Sequence, residues 1–314
     1  MNKKVVILGG GTGLSTLLRG LKKFPLDITA IVSVCDDGKS TGRLREEFKV
    51  PAVGDIRKVL VSLSETEPLI EQLLNYRFKT TSDLDGHTIG NLILTALSDI
   101  TGNISDGIET LGKVFNIKGK VLPLTEDYVT LMGKMEDGTI IEGEHNITLS
   151  PKKIADVYYK EKPIVTPQAI ESIKEADLII LSMGSIFTSI IPNLICPEIV
   201  DAIDSSKASI MYTCNMMTQP GETDKFKASD HVKLLNRHLG KRKIDVIIAN
   251  SGSISKSYRD KYETLEQKEA VIFDKRELQK YGLKVISSNF VIVEDDVIRH
   301  NAIKLSSYIF SYIL

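Results

Sequence analysis

Five short stretches of the chain are almost continuously apolar: KVVIL at 4–8, ITAIVSV at 28–34, ADLIILS at 176–182, ASIMYT at 208–213 and IDVIIA at 244–249. A strand with one solvated face alternates apolar and polar residues. An unbroken β-branched run instead predicts a strand covered on both faces, as in a parallel sheet. Helical spacing fills the intervals, as in LSTLLRGLKKF at 14–24. This alternation predicts an α/β fold, a doubly wound Rossmann-like parallel sheet.

Two regions break the alternation. Residues of about 55–116 read as a helical insertion, with DIRKVLVSLSE, PLIEQLLNYRF, TIGNLILTALSDI and SDGIETLGKVF as its helices. Residues of about 120–160 read as a small antiparallel β insertion, and Asp137-Gly138 marks a hairpin turn inside it. Both are taken as insertions into a single α/β domain spanning residues 1–314.

Each apolar run is followed by a polar, Gly-rich loop: GGGTG at 9–13, CDDGKSTG at 35–42, MGSIFTS at 183–189, CNMMTQPGET at 214–223 and NSGSIS at 250–255. In an open parallel sheet these loops share one edge, where ligands bind. Forty basic against forty-one acidic residues give a net charge of −1. Such a chain has no general attraction for nucleic acid or anionic lipid, so an anion must be held by a local site. The three cysteines are far apart and predict neither a disulfide framework nor a zinc site. The apolar run near the start stops after Leu8, and no later run approaches a membrane span. These features predict a soluble, cytoplasmic protein with no membrane insertion and no nucleic-acid partner.

Gly38-Lys39-Ser40 imitates the end of a P-loop, but five residues earlier stands Ser33 rather than glycine, and Asp36 and Asp37 occupy the cradle. The P-loop reading fails. The first loop follows a strand and opens a helix, the place of a dinucleotide fingerprint, yet Leu14 stands where its last glycine belongs. Backbone amides at that helix start still suit a phosphate, with Thr12, Ser15 and Thr16 as hydroxyl donors. Asp36 and Asp37 read as a pair for a hard cation or a substrate hydroxyl, or as caps of the next helix. His87 and Asn91 share a helix face, either toward a pocket or buried and satisfied by backbone. His231 and His238 read as surface residues. The apolar end, AIKLSSYIFSYIL, suits either the core or a homodimer interface.

The set GGGTGLSTLLRGLK, DDGKSTGRLR, GDIRKVL, GHTIGNLIL, GSIFTSIIPNL and CNMMTQPGET resembles the gluconeogenesis factor family (YvcK type), related to 2-phospho-L-lactate transferase (CofD-like). The resemblance runs in order from residue 1 to about 255. It implies a Rossmann-like core binding a nucleotide sugar such as UDP-N-acetylglucosamine, and a role in growth and cell shape on gluconeogenic carbon sources. The transferase branch implies instead Mg2+-dependent transfer of a phospholactyl group from a nucleotide-diphosphate donor to an alcohol. Carried over by position, Gly10, Gly11, Thr12, Gly13 and Leu14 would border the diphosphate. Asp36 and Asp37 would orient hydroxyls, or act with Mg2+ in a transferase. Lys39, Ser40 and Arg43 would meet phosphate oxygens. His87 and Asn91 would face the pocket, and Gly184, Ser185, Thr188, Ser189 and Asn193 would form a second donor loop. Asn215, Gln219 and Glu222 would read a base or acetamido group, and Arg299-His300 would fold back over the ligand. Asp55 and Arg57 would pair with each other or touch it.

Lys39 and Thr41 replace the usual Gly and Ser of the family's second motif, and Ser182-Met183-Gly184-Ser185 lacks its Pro. Three functions of different class follow: a nucleotide-sugar-sensing regulator, a nucleotide-diphosphate-dependent transferase, and a nicotinamide oxidoreductase. Leu14 and the doubled Asp oppose the third. No individual protein partner is implied.

Overall fold

In the computed structural model, which describes residues 2–65 and 68–314, seven strands form one parallel sheet. These are β1 (Lys3–Gly9), β2 (Leu26–Val32), β3 (Lys120–Pro123), β7 (Leu178–Leu181), β8 (Ser209–Thr213), β9 (Val246–Asn250) and β10 (Lys284–Ser288), in the order β10-β9-β8-β7-β1-β2-β3. The pleat sends Val5 and Ile7 to one face and Val6 and Leu8 to the other, all fully or almost fully buried. One face packs under α1 (Gly11–Leu21), α3 (Val53–Leu63) and the last helix, Ala302–Ile313. The other packs under the helices between 167 and 205 and the helix Ala228–His238. The two cores explain why the inner strands carry no polar alternation.

The five apolar runs are the five interior strands, β1, β2, β7, β8 and β9. The two edge strands escaped the sequence pattern. β3 lies inside the stretch read as antiparallel but pairs parallel with β2, Ala30 opposite Val121. β10 is only half-buried and ends in two serines. An edge strand is incompletely covered and needs no continuous apolar run.

The helical insertion comprises α3, α4 (Pro68–Asn75), α5 (Ile89–Thr101) and α6 (Ile104–Val114), following α2 (Lys39–Phe48). Gly102, at φ +85°, ends α5, and the Asn103 side chain starts α6 by accepting the Asp106 N–H at 2.8 Å. The antiparallel sheet is β5 (Ile140–Glu142), β4 (Leu131–Met135) and β6 (Ile154–Tyr159), in that order, with Gly138 in its turn at φ +86°. Residues Glu144–Leu149, read as strand, form a short helix α7. Gly143, at φ +91°, breaks the extended run, and Asp37 Oδ1 accepts the His145 N–H at 2.7 Å.

A two-stranded hairpin, β11 (Val291–Glu294) and β12 (Val297–His300), precedes the last helix. That helix buries Leu305 and Ile309 against the core and sets Phe310 in tilted contact with Phe24, while Ile303 and Leu314 stay exposed. Among the described residues, no single helix is long and apolar enough to cross a membrane.

Candidate functional site

From β1 the chain builds β2 and β3 on one side. Later it places β7, β8, β9 and β10 on the other, so the loops after β1 and β7 diverge at a topological switch point. A cavity of about 740 Å³ opens there. Its floor is Gly10–Gly13, the first turn of α1. Gly10, the residue before the helix, has no side chain to cap it; instead Asp55 Oδ2 accepts the Gly11 N–H at 2.7 Å. The Thr12 and Gly13 ends of the turn face the cavity with the partial positive charge of the helix behind them.

The structure gathers Gly10, Gly11, Thr12, Gly13, Asp36, Gly184, Ser185, Thr188, Ser189, Asn215, Gln219, Arg299 and His300 around this cavity. Several of the polar ones are already engaged. Asn215 clamps Gly184, accepting its N–H at 3.0 Å and donating to its carbonyl at 2.7 Å, so its amide ties the β7 and β8 loops instead of reading a ligand. Gln219 donates to Glu222, which also accepts from Ser185 Oγ at 2.6 Å. Glu222 thus binds the two loops from below.

Other candidates lie elsewhere. Leu14 is fully buried in the core, because the helix turns that position toward the sheet. Asp37 faces away and caps α7. Lys39 is exposed outside the cavity lining. Arg43 donates to the carbonyls of Asp83 and Asp85. Ser40, His87 and Asn91 form a buried chain behind the site, with Ser40 Oγ 3.0 Å from His87 Nδ1 and accepting from Asn91 Nδ2 at 3.2 Å. Arg57 completes it, donating to Asn91 Oδ1 at 2.9 Å and to Asn75. The Asp55–Arg57 pair is therefore replaced by Asp55–Lys58 at 2.9 Å. Asn193 is fully buried and donates to the Ser189 carbonyl at 2.9 Å, bracing the loop. His231 is fully buried beside Tyr212 and Phe226 and is not a surface residue, whereas His238 is half-buried and bonds the exposed Asp156.

Residues that were not singled out as candidates complete the wall. Glu144 arrives on α7, Lys58 on α3, Tyr262 and Lys268 from the helix Lys256–Glu266 and the loop after it, and Met216 and Met217 from the β8 loop. Lys58 is the lysine of the GDIRKVL motif itself, although only Asp55 and Arg57 were singled out there. Nothing in the spacing of Glu144 marks it, since it reaches the cleft through the insertion.

The charges are asymmetric. Asp36 and Glu144 stand together at the β2 end, and burial, reinforced for Glu144 by the Asp36 charge, pushes the Glu144 carboxyl up to about 7. Burial and the nearby Asp55 raise Asp36 as well. Burial by itself would lower the Lys58 ammonium, but the Asp55 carboxylate outweighs it and holds Lys58 above its ordinary value. Arg299 reaches the cavity from β12, with only a loose ion pair to Glu294 at 3.9 Å. Among the described residues, no three His, Cys, Asp or Glu side chains converge in a metal-ligand group.

Glu222 is likewise raised to about 7, chiefly by burial. For both glutamates the folded chain retains a proton that the unfolded chain releases near 4.5. Their contribution to stability is therefore complete below that value and is lost as the pH rises through 7. Buried His300, lowered to about 4 by desolvation, acts in the opposite sense, but only below the ordinary histidine value of 6.5. Between pH 6.5 and 8 the carboxyls are expected to dominate, lowering the melting temperature by about 3 °C. Glu222→Gln should shallow that slope. An unchanged slope in thermal unfolding at several pH values would show that Glu222 ionises normally.

The family described as 2-phospho-L-lactate transferase CofD matches residues 5–291. A protein named gluconeogenesis factor from Halalkalibacterium halodurans is 48% identical over 308 residues, covering 98% of this chain and 95% of that one. The gluconeogenesis factor of Bacillus subtilis is 48% identical over 305 residues, covering 97% and 96%. A crystal structure of a UPF0052 family member from Bacillus halodurans superposes with a TM-score of 0.94 at 48% identity, covering 98% of this chain and 99% of that one.

Proposed function

The chain belongs to the CofD family, and on that premise we propose that it is a regulatory factor that binds a nucleotide sugar of the UDP-N-acetylglucosamine kind. Its role is in growth and cell-shape maintenance on gluconeogenic carbon sources. One observation carries this reading: the first turn of α1, with Thr12 and Gly13 in the lining, opens at the switch point onto a cavity large enough for such a ligand, with Arg299 facing it. The amides and helix charge suit a diphosphate, and a guanidinium grips two phosphate oxygens at once. The carboxylates of Asp36 and Glu144 at the far end suit sugar hydroxyls.

Mg2+ fits this site only as a passenger. Asp55 is committed to Gly11 and Lys58, and no three-residue ligand set is present among the described residues, so the ion would arrive on the diphosphate. A second reading, transfer from a nucleotide-diphosphate donor, is favoured by Glu144: a carboxyl near 7 beside Asp36 has the proton affinity of a general base for an acceptor hydroxyl.

Calorimetric titration of UDP-N-acetylglucosamine, GDP and NAD, each with and without Mg2+, tests the proposal. Arg299→Ala should weaken UDP-N-acetylglucosamine binding by about 10- to 100-fold, the loss of one charge-assisted contact. Arg43→Ala, which lies away from the cavity, should leave it unchanged. Binding of GDP with Mg2+ alone would favour the transferase, and binding of NAD alone would overturn both.

A further inference from the structure

On the nucleotide-sugar reading above, the geometry points to one orientation of the ligand along the sheet edge: the nucleobase enters a second cavity between the β8 and β9 loops, and the sugar lies toward β2. This cavity, about 440 Å³, shares Asn215 and Met216 with the main cleft and so continues it past β8. The two ends differ in chemistry. At the β2 end stand Asp36 and Glu144, which in ionised form only accept hydrogen bonds and so match the hydroxyls of a sugar.

No Asp or Glu lines the second cavity. Its walls are Ala249, Ile254, Val271 and Phe273, and its rim is the peptide edge of Ser251–Ile254. The N–H groups of Ser253 and Ile254 have no hydrogen-bond partner among the described residues. Asn250 is spent internally, bonding Gly252 and accepting the Phe290 N–H at 2.9 Å. Aliphatic and aromatic walls with a free peptide edge suit a planar ring whose carbonyls and N–H lie in its plane. A pyranose there would strand several hydroxyls without partners, each at a cost.

Distance agrees. Two strand spacings, about 10 Å, separate the β1–β7 gap from the β8–β9 gap. A ribose carrying its base spans that interval from a diphosphate over Gly10–Gly13. Arg259, whose side chain has no ion pair among the described residues, stands at the cavity wall as a further polar contact.

Photo-crosslinking with 4-thiouridine diphosphate tests the orientation, because its reactive sulfur is on the base. Trypsin releases residues 244–256 and 269–275 as separate peptides from those holding the glycine loop, 5–19, and the Asp36 loop, 24–39. The expected result is label on 244–256 or 269–275 that excess UDP-N-acetylglucosamine suppresses at least about 10-fold. If the protein binds UDP-N-acetylglucosamine in the titration but label falls only on other peptides, or on none, the orientation is wrong and the nucleotide-sugar reading stands. If it binds no uridine nucleotide at all, both fall.

Discussion

Gly13→Ala is expected to unfold roughly 5–10 °C below the parent chain and to lose measurable nucleotide affinity. A methyl group on Gly13 would lie 2.5 Å from the Met183 carbonyl carbon, 3.0 Å from Gly184 N, and nearer still to the carbonyl oxygen. All three are backbone atoms, so no side chain can swing aside. Either α1 or the β7 loop must move, and these are the two elements that meet at the switch point. Overpacking of this kind costs about 1–3 kcal/mol, and more where backbone meets backbone. Displacing the helix start also withdraws the amides proposed to hold the diphosphate. Thermal unfolding and calorimetric titration together check the claim. A variant with parental stability and affinity would mean that the loop after β7 yields freely, against the clamp that Asn215 places on Gly184.

Arg45→Met should cost about 3 kcal/mol and lower the melting temperature by at least about 6 °C. Arg45 is 3% exposed and has no carboxylate partner among the described residues; its guanidinium donates to the carbonyls of Cys35 at 3.3 Å, Asp36 at 3.4 Å and Val129. It also lies over the Tyr128 ring at 4.7 Å. One side chain therefore ties the Asp36 loop to the approach to β4. Methionine keeps much of the apolar stem volume but leaves three carbonyls without that donor. Ligand affinity should fall less than in Gly13→Ala, because Arg45 steadies Asp36 from behind and lines no part of the cavity. A melting temperature within about 1 °C of the parent would show that water replaces the guanidinium at all three carbonyls.

The candidate site was legible where its chemistry depends on the backbone. Gly10 to Gly13 follow a strand and begin a helix, and both facts are visible in the periodicity. It was less legible where a polar side chain had two destinations. Ser40, His87 and Asn91 have the right types for ligand contacts, yet they satisfy one another and Arg57 in a buried chain. Asp36 and Asp37 are adjacent and chemically alike, but neighbouring residues point in different directions; one faces the cleft and the other caps α7. The amide of Asn215 had the chemistry to read a base and is consumed by Gly184.

By itself the sequence determined the doubly wound class, the five interior strands, the helical character of the first insertion and the loops that share the carboxyl edge of the sheet. Burial on both faces of a sheet and helical amphipathicity are written locally, in the period of apolar residues. Only the tertiary structure decided the rest. Edge strands β3 and β10 needed no continuous apolar run, so their place depended on which neighbour had an open edge. Glu144, Lys58 and Lys268 come from three segments distant in sequence and meet only because the sheet order brings those segments to one cleft. A polar side chain's role is set by the partner it finds, and that partner is fixed by packing rather than by spacing along the chain.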